Sequence, residues 1–393
     1  MKPFLSLLAL LTLAVSKVDC ALPYISSLDI KNNADRGLRL ISLSDDEEPS
    51  WKTEAELMEL KRVHIPFVDV TDVYDTWRRL PNRQPMNRLV DENAIQIKYP
   101  EPSFQNELQP ILTNVSIPAM RDNLETLTSF KNRWYLSATG LDASHWIFNK
   151  AQEIVYDFDR DDVVVSLYNH TFPQPSIIAR IPGEEDGPLT ILGCHMDSVN
   201  LNDPLNGTAP GADDDGSGVV NVLEVLRSLL AAGFQPATPV EFHWYAAEEA
   251  GLRGSAAIAT DYKQRGVEVQ GFMQLDMTGY YKPGTDEVIA LLPDYVDENL
   301  NDFVKSLVEE YNRIPWVMEE PCHYGCSDHF SWDKVGYPAT FPFEAVTGDY
   351  NPEMHTTEDT TLLDGFSWEH SLEFAKLGVA FIYELAASSD WRQ

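Results

Sequence analysis

Residues 217–247, SGVVNVLEVLRSLLAAGFQPATPVEFHWYAA, carry the reading on which the fold turns. In the first half, Val219, Val222, Leu223, Leu226, Leu229 and Leu230 recur at helical spacing and share one face. The second half, PVEFHWYAA, is a strand. Working outward, LTILGCH (189–195) and VQGFMQLDM (269–277) are strands, as are VVVSLY (163–168), SIIARIP (176–182) and YPATFPFEA (337–345). Helices are predicted for IPAMRDNLETLTSF, opened by Ser116 and Pro118, and for DASHWIFNKAQEIVYDF, SAAIATDYKQR, ENLNDFVKSLVEEYNR and SWEHSLEFAKLGVAFIYELAA. Strands alternating with helices predict an α/β fold: a mostly parallel, mixed central sheet flanked by helices on both faces.

Acidic and histidine side chains follow the apolar strands. His195 and Asp197 end the first, Glu248 and Glu249 follow PVEFHWYAA, and Asp276 follows VQGFMQL. GADDDGSG opens the strong helix, and YNPEMHTTED carries His355 in a loop. In open parallel sheets, sites gather at the carboxyl ends of strands, so these ligand types converge on one edge. Two histidines with several carboxylates suit zinc, and two neighbouring ions need a bridging carboxylate. The glycines around Asp213, Asp214 and Asp215 allow a tight turn that delivers one aspartate there. Asp197, two residues beyond His195, is placed to orient that imidazole. Adjacent glutamates repel, but nearby cations offset the repulsion, so one can bind metal while the other stays free as a base.

The stretches GCHMDSVN, APGADDDGSGVV, WYAAEEAGLRGS, QLDMTGYY, CHYGCSDH and YNPEMHTTEDT together resemble the M28 family of zinc peptidases. Within it they are most similar to secreted leucine aminopeptidases of filamentous fungi and their bacterial relatives. The resemblance covers residues 95–390 and implies a zinc-exopeptidase fold. It implies two zinc ions: His195 and Asp276 on one, Glu249 and His355 on the other, and Asp214 bridging. It makes Glu248 the general base of peptide-bond hydrolysis at free N-termini of peptides or proteins, and Asp197 the partner of His195. It also implies an apolar pocket of Met277, Phe341, Phe343, Tyr350 and Met354, with Tyr324 beside it. Such a pocket favours leucine and other large apolar side chains and discriminates weakly among them. Rival chemistries on this fold are a glutaminyl cyclase, a carboxypeptidase using Arg253 or Arg313, and an inactive binding member.

The 393 residues carry a net charge of −33, which argues against holding nucleic acid phosphates. Lys2 and the apolar run Phe4–Val15 read as a secretory signal, residues 1–20, too short to span a bilayer. No later segment reads as transmembrane, so the protein is expected to be secreted and monomeric. Residues 21–88 are charged, with a short amphipathic helix at Glu54–Arg62 and a basic, proline-interrupted stretch, TWRRLPNRQPMNRLV, that suits protease cleavage. This reads as a propeptide that partners the catalytic domain, residues 89–393, as inhibitor or chaperone. Asn114, Asn169 and Asn206 open glycosylation triplets. Cys322 and Cys326 are spaced for a local disulfide, with a zinc knuckle using His323 or His329 as the alternative. Cys194 is expected to be a buried free thiol.

Overall fold

In the computed structural model, residues 25–44, 47–80 and 97–389 are described. The expected signal and the 88/89 boundary lie outside them. Across the central sheet the strands run Ala339–Thr340, Val269–Gln274, Leu189–His195, Val240–Tyr245, Ser176–Ile181 and Val164–Tyr168. The first four are mutually parallel, and the last two pairings are antiparallel. This is the mixed sheet the sequence predicts.

The near-continuous apolar character of Leu189–His195 follows from its position: every residue is buried, because both sheet faces are covered. Its side chains alternate between two cores. Leu192 and Cys194 join the larger core, with Phe242, Trp244 and Met273, under the helices Gly216–Ala231 and Trp368–Ala386. Leu189 and Ile191 join the opposite core, with Tyr245 and Phe272, under the helix Arg253–Arg265. Cys194 is a buried free thiol, as expected. The helix Gly216–Ala231 is buried along almost its whole length, since it packs against the sheet on one side and other helices on the other.

The expected strand 337–345 is broken. Ala339–Thr340 pairs with the central sheet, whereas Pro342–Phe343 pairs antiparallel with Ile289–Leu291 in a separate three-stranded sheet. Pro338 and Pro342 lack the N–H a continuous ladder needs, and the chain changes sheets at Phe341.

The segment before residue 80 is folded onto the rest. The helix Glu54–Arg62 forms as the sequence predicts, with Thr53 and Glu56 making a capping box. Strands Leu38–Ser42, Ser50–Thr53 and Val68–Asp69 form a small antiparallel sheet. Leu40, Val70 and Trp77 enter the core beneath helix Arg253–Arg265. The Trp77 indole N–H donates to Thr260 at 2.8 Å, and the Asp69 amide donates to the Gly251 carbonyl at 3.0 Å.

Candidate active site

The strand ends and the start of helix Gly216–Ala231 meet at one edge of the sheet. Asp215 caps that helix, its Oδ1 accepting the Gly218 amide at 2.9 Å. The same carboxylate accepts the amides of His195 at 3.1 Å and Met277 at 3.2 Å. One buried side chain thus fastens the helix start to two strand ends. A Cβ on Gly218 would lie 2.3 Å from that carboxylate, so only glycine permits the approach.

His195, Asp214 and Asp276 converge. His195 Nε2 lies 3.1 Å from Asp214 Oδ1 and 3.4 Å from Asp276 Oδ1. The other Asp214 oxygen, Oδ2, lies 3.1 Å from His355 Nε2, which is itself 3.0 Å from Glu249 Oε2. Asp214 therefore stands between two clusters, one oxygen turned to each. Ligand-type atoms of His195, Asp215 and Asp276 lie within 4.8 Å of one another, as do those of Asp214, Glu249 and His355. Asp215 is near enough to be counted in the first group, but its oxygens are taken by three backbone amides, so it is a clamp. Asp214 is the better donor.

Asp197 accepts the amides of Glu248 at 3.0 Å and Glu249 at 3.2 Å. Its Oδ1 lies 3.6 Å from His195 Nδ1, an ionic contact too long for a hydrogen bond. Left-handed backbone at non-glycine residues surrounds the site: Ala247 (φ 57°), Met277 (φ 56°) and His355 (φ 65°). Such conformations persist only where the surroundings dictate them. Here the Ala247 carbonyl accepts the Arg253 amide at 3.0 Å, and the Met277 amide is on Asp215.

The electrostatics suit cations. Burial pushes the Glu248 carboxyl well above its ordinary range; His195 and Lys61 oppose this, and Glu249 adds to it. Burial disfavours a charged His355, but Glu249 and Asp214 outweigh it and raise its pKa to about 10. Glu249 Oε1 and His195 Nδ1 are buried without a hydrogen-bond partner. A donor set of carboxylates and imidazoles with such orphaned atoms fits metal ions.

All six expected pocket residues, Met277, Tyr324, Phe341, Phe343, Tyr350 and Met354, line one 440 Å³ cleft with these groups. Cys322 and Cys326 are joined by a disulfide at the rim, where Asp294 accepts the amides of Cys322 and His323 at 3.2 and 2.7 Å. His323 is exposed, and His329 is buried against Phe341 with neither ring nitrogen bonded. Neither candidate arginine lines the cleft: Arg253 stacks on Phe172 and Tyr135, and Arg313 pairs with Glu287. Asn114, Asn169 and Asn206 are exposed.

Sequence reasoning missed Lys61. Its ammonium pairs with Glu249 inside the cleft, and His64, Ile65, Pro66 and Phe67 line the same wall. Lys61 ends an amphipathic helix, where a lysine is ordinary, so nothing in its local sequence signals the contact. It also missed Ser327, whose hydroxyl donates to Asp276 at 2.5 Å. Arg133 was missed too; it is buried and donates to the carbonyls of Met196 and Gly211, both at 2.8 Å.

The sequence pattern of peptidase family M28 matches residues 176–381, the stretch holding every one of these candidate ligands. The chain belongs to peptidase family M28. It is an enzyme, a zinc-dependent aminopeptidase of the hydrolase class. It is 40% identical to leucine aminopeptidase 1 of Fusarium vanettenii, covering 85% of this chain and 84% of that protein. It is 38% identical to leucine aminopeptidase 1 of Coccidioides posadasii over 97% and 98% of the two chains. Among solved structures it is similar to LapB from Legionella pneumophila. There the TM-score is 0.75 at 30% identity, over 91% of this chain and 97% of that one. Among the described residues, no helix of this M28 chain is long and apolar enough to cross a membrane.

Proposed function

We propose that this M28 chain is a secreted, monomeric aminopeptidase that removes leucine and other large apolar residues from peptide N-termini, using two zinc ions. The observation that carries the reading is the Asp214 carboxylate, 3.1 Å from an imidazole nitrogen on each side. His195 and Asp276 would hold one ion, Glu249 and His355 the other, and Asp214 both. The pair supplies Lewis acidity and a water acidified to near neutrality.

The chain's own groups do the rest. Glu248 takes a proton from the attacking water as its oxygen bonds to the first peptide carbonyl carbon. As the C–N bond breaks, Glu248 gives that proton to the leaving amine. Asp197 holds the Glu248 amide, so the base is fixed by the same carboxylate that faces His195. The apolar wall of Met277, Phe341, Phe343, Tyr350 and Met354 receives the first side chain. The acidic cleft favours a positively charged chain end; Lys61 brings an ammonium of the same kind to it.

Residues 1–20 are read as a secretory signal and 21–88 as a propeptide. Two features support the propeptide: Lys61 sits on a candidate zinc ligand, and residues 64–67 line the cleft that substrate must enter. The exposed Asn114, Asn169 and Asn206 are available to carry glycans on a secreted chain.

Glu248→Gln keeps the side chain's shape and the Asp197 contact. It should abolish release of p-nitroaniline from leucine p-nitroanilide while zinc content stays at the native value. Retained turnover in a zinc-replete variant would remove Glu248 from its role.

A further inference from the structure

The bridging candidate Asp214 and the loop bearing His355 are far apart in sequence, yet buried groups the mechanism does not use tie them together. Asp359 is buried, and its two oxygens accept the amides of Asp213 and Asp214, each at 3.1 Å. Its own carbonyl accepts the Ala212 amide at 3.2 Å. Asn351, also buried, shares its side-chain NH₂ between Asp359 Oδ1 at 3.0 Å and Asp213 Oδ2 at 3.1 Å. Its amide donates to Glu344 at 3.0 Å.

Asn351 and Asp359 stand four residues before and four residues after His355. The His355 loop is thus fastened at both ends to the peptide that carries Asp214. This cluster is not a third cation site. Asn351 presents its donors to two of the carboxylates, and backbone amides take oxygens of Asp213, Glu344 and Asp359. The other cluster is held separately: Asp215 clamps the amides at His195 and Met277.

We propose that Asn351 and Asp359 are positioning residues that set the spacing of His355 to Asp214, and so tune the Glu249–His355 half of the metal centre more than the His195–Asp276 half. An asparagine at 359 offers one acceptor oxygen to two amides and turns its own NH₂ toward the second. The His355 loop then loses one of its ties and shifts, and any movement of Asp214, which both halves share, is felt less on the His195–Asp276 half, which keeps its own Asp215 clamp. Outer partners of metal ligands are typically worth about 10–100-fold in affinity.

This rests on the two-metal reading, and the test separates the two. Metal-free full-length protein is titrated with Zn²⁺ and, separately, with Co²⁺, by calorimetry and visible absorption. Native protein should take up two equivalents. Asp359→Asn should bind the first with little change and the second about 10–100-fold more weakly, with the second-equivalent cobalt bands altered most. Asn351→Ala leaves Asp359 on both amides, and should give a smaller change of the same kind even if Asp359→Asn does not fold. Equal weakening of both equivalents, or of neither, in folded variants overturns the inference and leaves the two-metal reading standing. A native protein that takes up one equivalent or none, with a Lys61→Met chain that frees Glu249 doing the same, overturns both.

Discussion

Replacing Asp197 by asparagine tests a group that holds the amides of both adjacent glutamates. Asp197 accepts two amides, those of Glu248 at 3.0 Å and Glu249 at 3.2 Å, and faces His195 Nδ1 at 3.6 Å. Asparagine is isosteric but keeps one acceptor oxygen, so one of the two amides must face an NH₂ instead. A hydrogen bond to a charged acceptor is worth about 1.5–3 kcal/mol. At about 1.4 kcal/mol per decade, the loss corresponds to roughly tenfold to a hundredfold in an equilibrium constant. Losing the anion beside His195 acts in the same direction. Because both candidate-ligand stretches are affected, zinc affinity should fall at both ions. Competition with a chromophoric chelator measures this directly, with thermal unfolding of the metal-free protein as the control for general destabilisation. A zinc affinity within about threefold of native, less than the loss of even one such bond, would refute the argument that this carboxylate sets the cleft.

Two further outcomes follow from the seam between the N-terminal segment and the cleft rim. In full-length Lys61→Met, the buried Glu249 loses one of its two cationic partners in the metal-free protein, His355 remaining at 3.0 Å, so the metal-free variant should be less stable than the native chain. Bound zinc would restore that charge balance, so the rise in Tm on adding zinc should be larger in the variant than in the native chain. An equal rise would mean Lys61 and metal do not compete for Glu249. In the Cys322→Ser/Cys326→Ser pair, a loop closed over so few residues should cost about 2 kcal/mol of stability. Since Tyr324 in that loop lines the cleft, KM should rise with kcat little changed; a fall in kcat at constant KM would contradict its place in substrate binding.

The middle of the sheet was legible because Val269–Gln274, Leu189–His195 and Val240–Tyr245 are buried at every residue, and the ligand-bearing turns were legible because they follow those runs. Helix starts were legible where a side chain caps, as at Ser116, which accepts the Ala119 amide at 3.3 Å. What the sequence hid was short or non-local. Ile289–Leu291 and Trp316–Met318 span three residues each, too few to display a period. The break at Phe341 depends on two prolines whose neighbours in space lie in different sheets. The strands of the N-terminal segment place Leu40 and Val68 in the core that Ile258 and Tyr262 of helix Arg253–Arg265 share, which no local propensity reveals. Lys61 meets Glu249 across 188 residues of chain, and Asp359 meets Asp214 across 145. Asp213, Asp214 and Asp215 look alike in sequence. Only geometry separates them: Asp213 bonds Asn351 and Gly279, Asp214 spans two imidazoles, and Asp215 caps a helix.

The proposed pairing of two metal ions across Asp214 is tested most directly by elemental analysis of active protein during stepwise chelation and zinc return, with leucine p-nitroanilide hydrolysis followed in parallel. The two-zinc proposal predicts two zinc ions per fully active chain, loss of activity as zinc is withdrawn, and recovery when both are restored. Full activity at one zinc per chain, or at none, would contradict it.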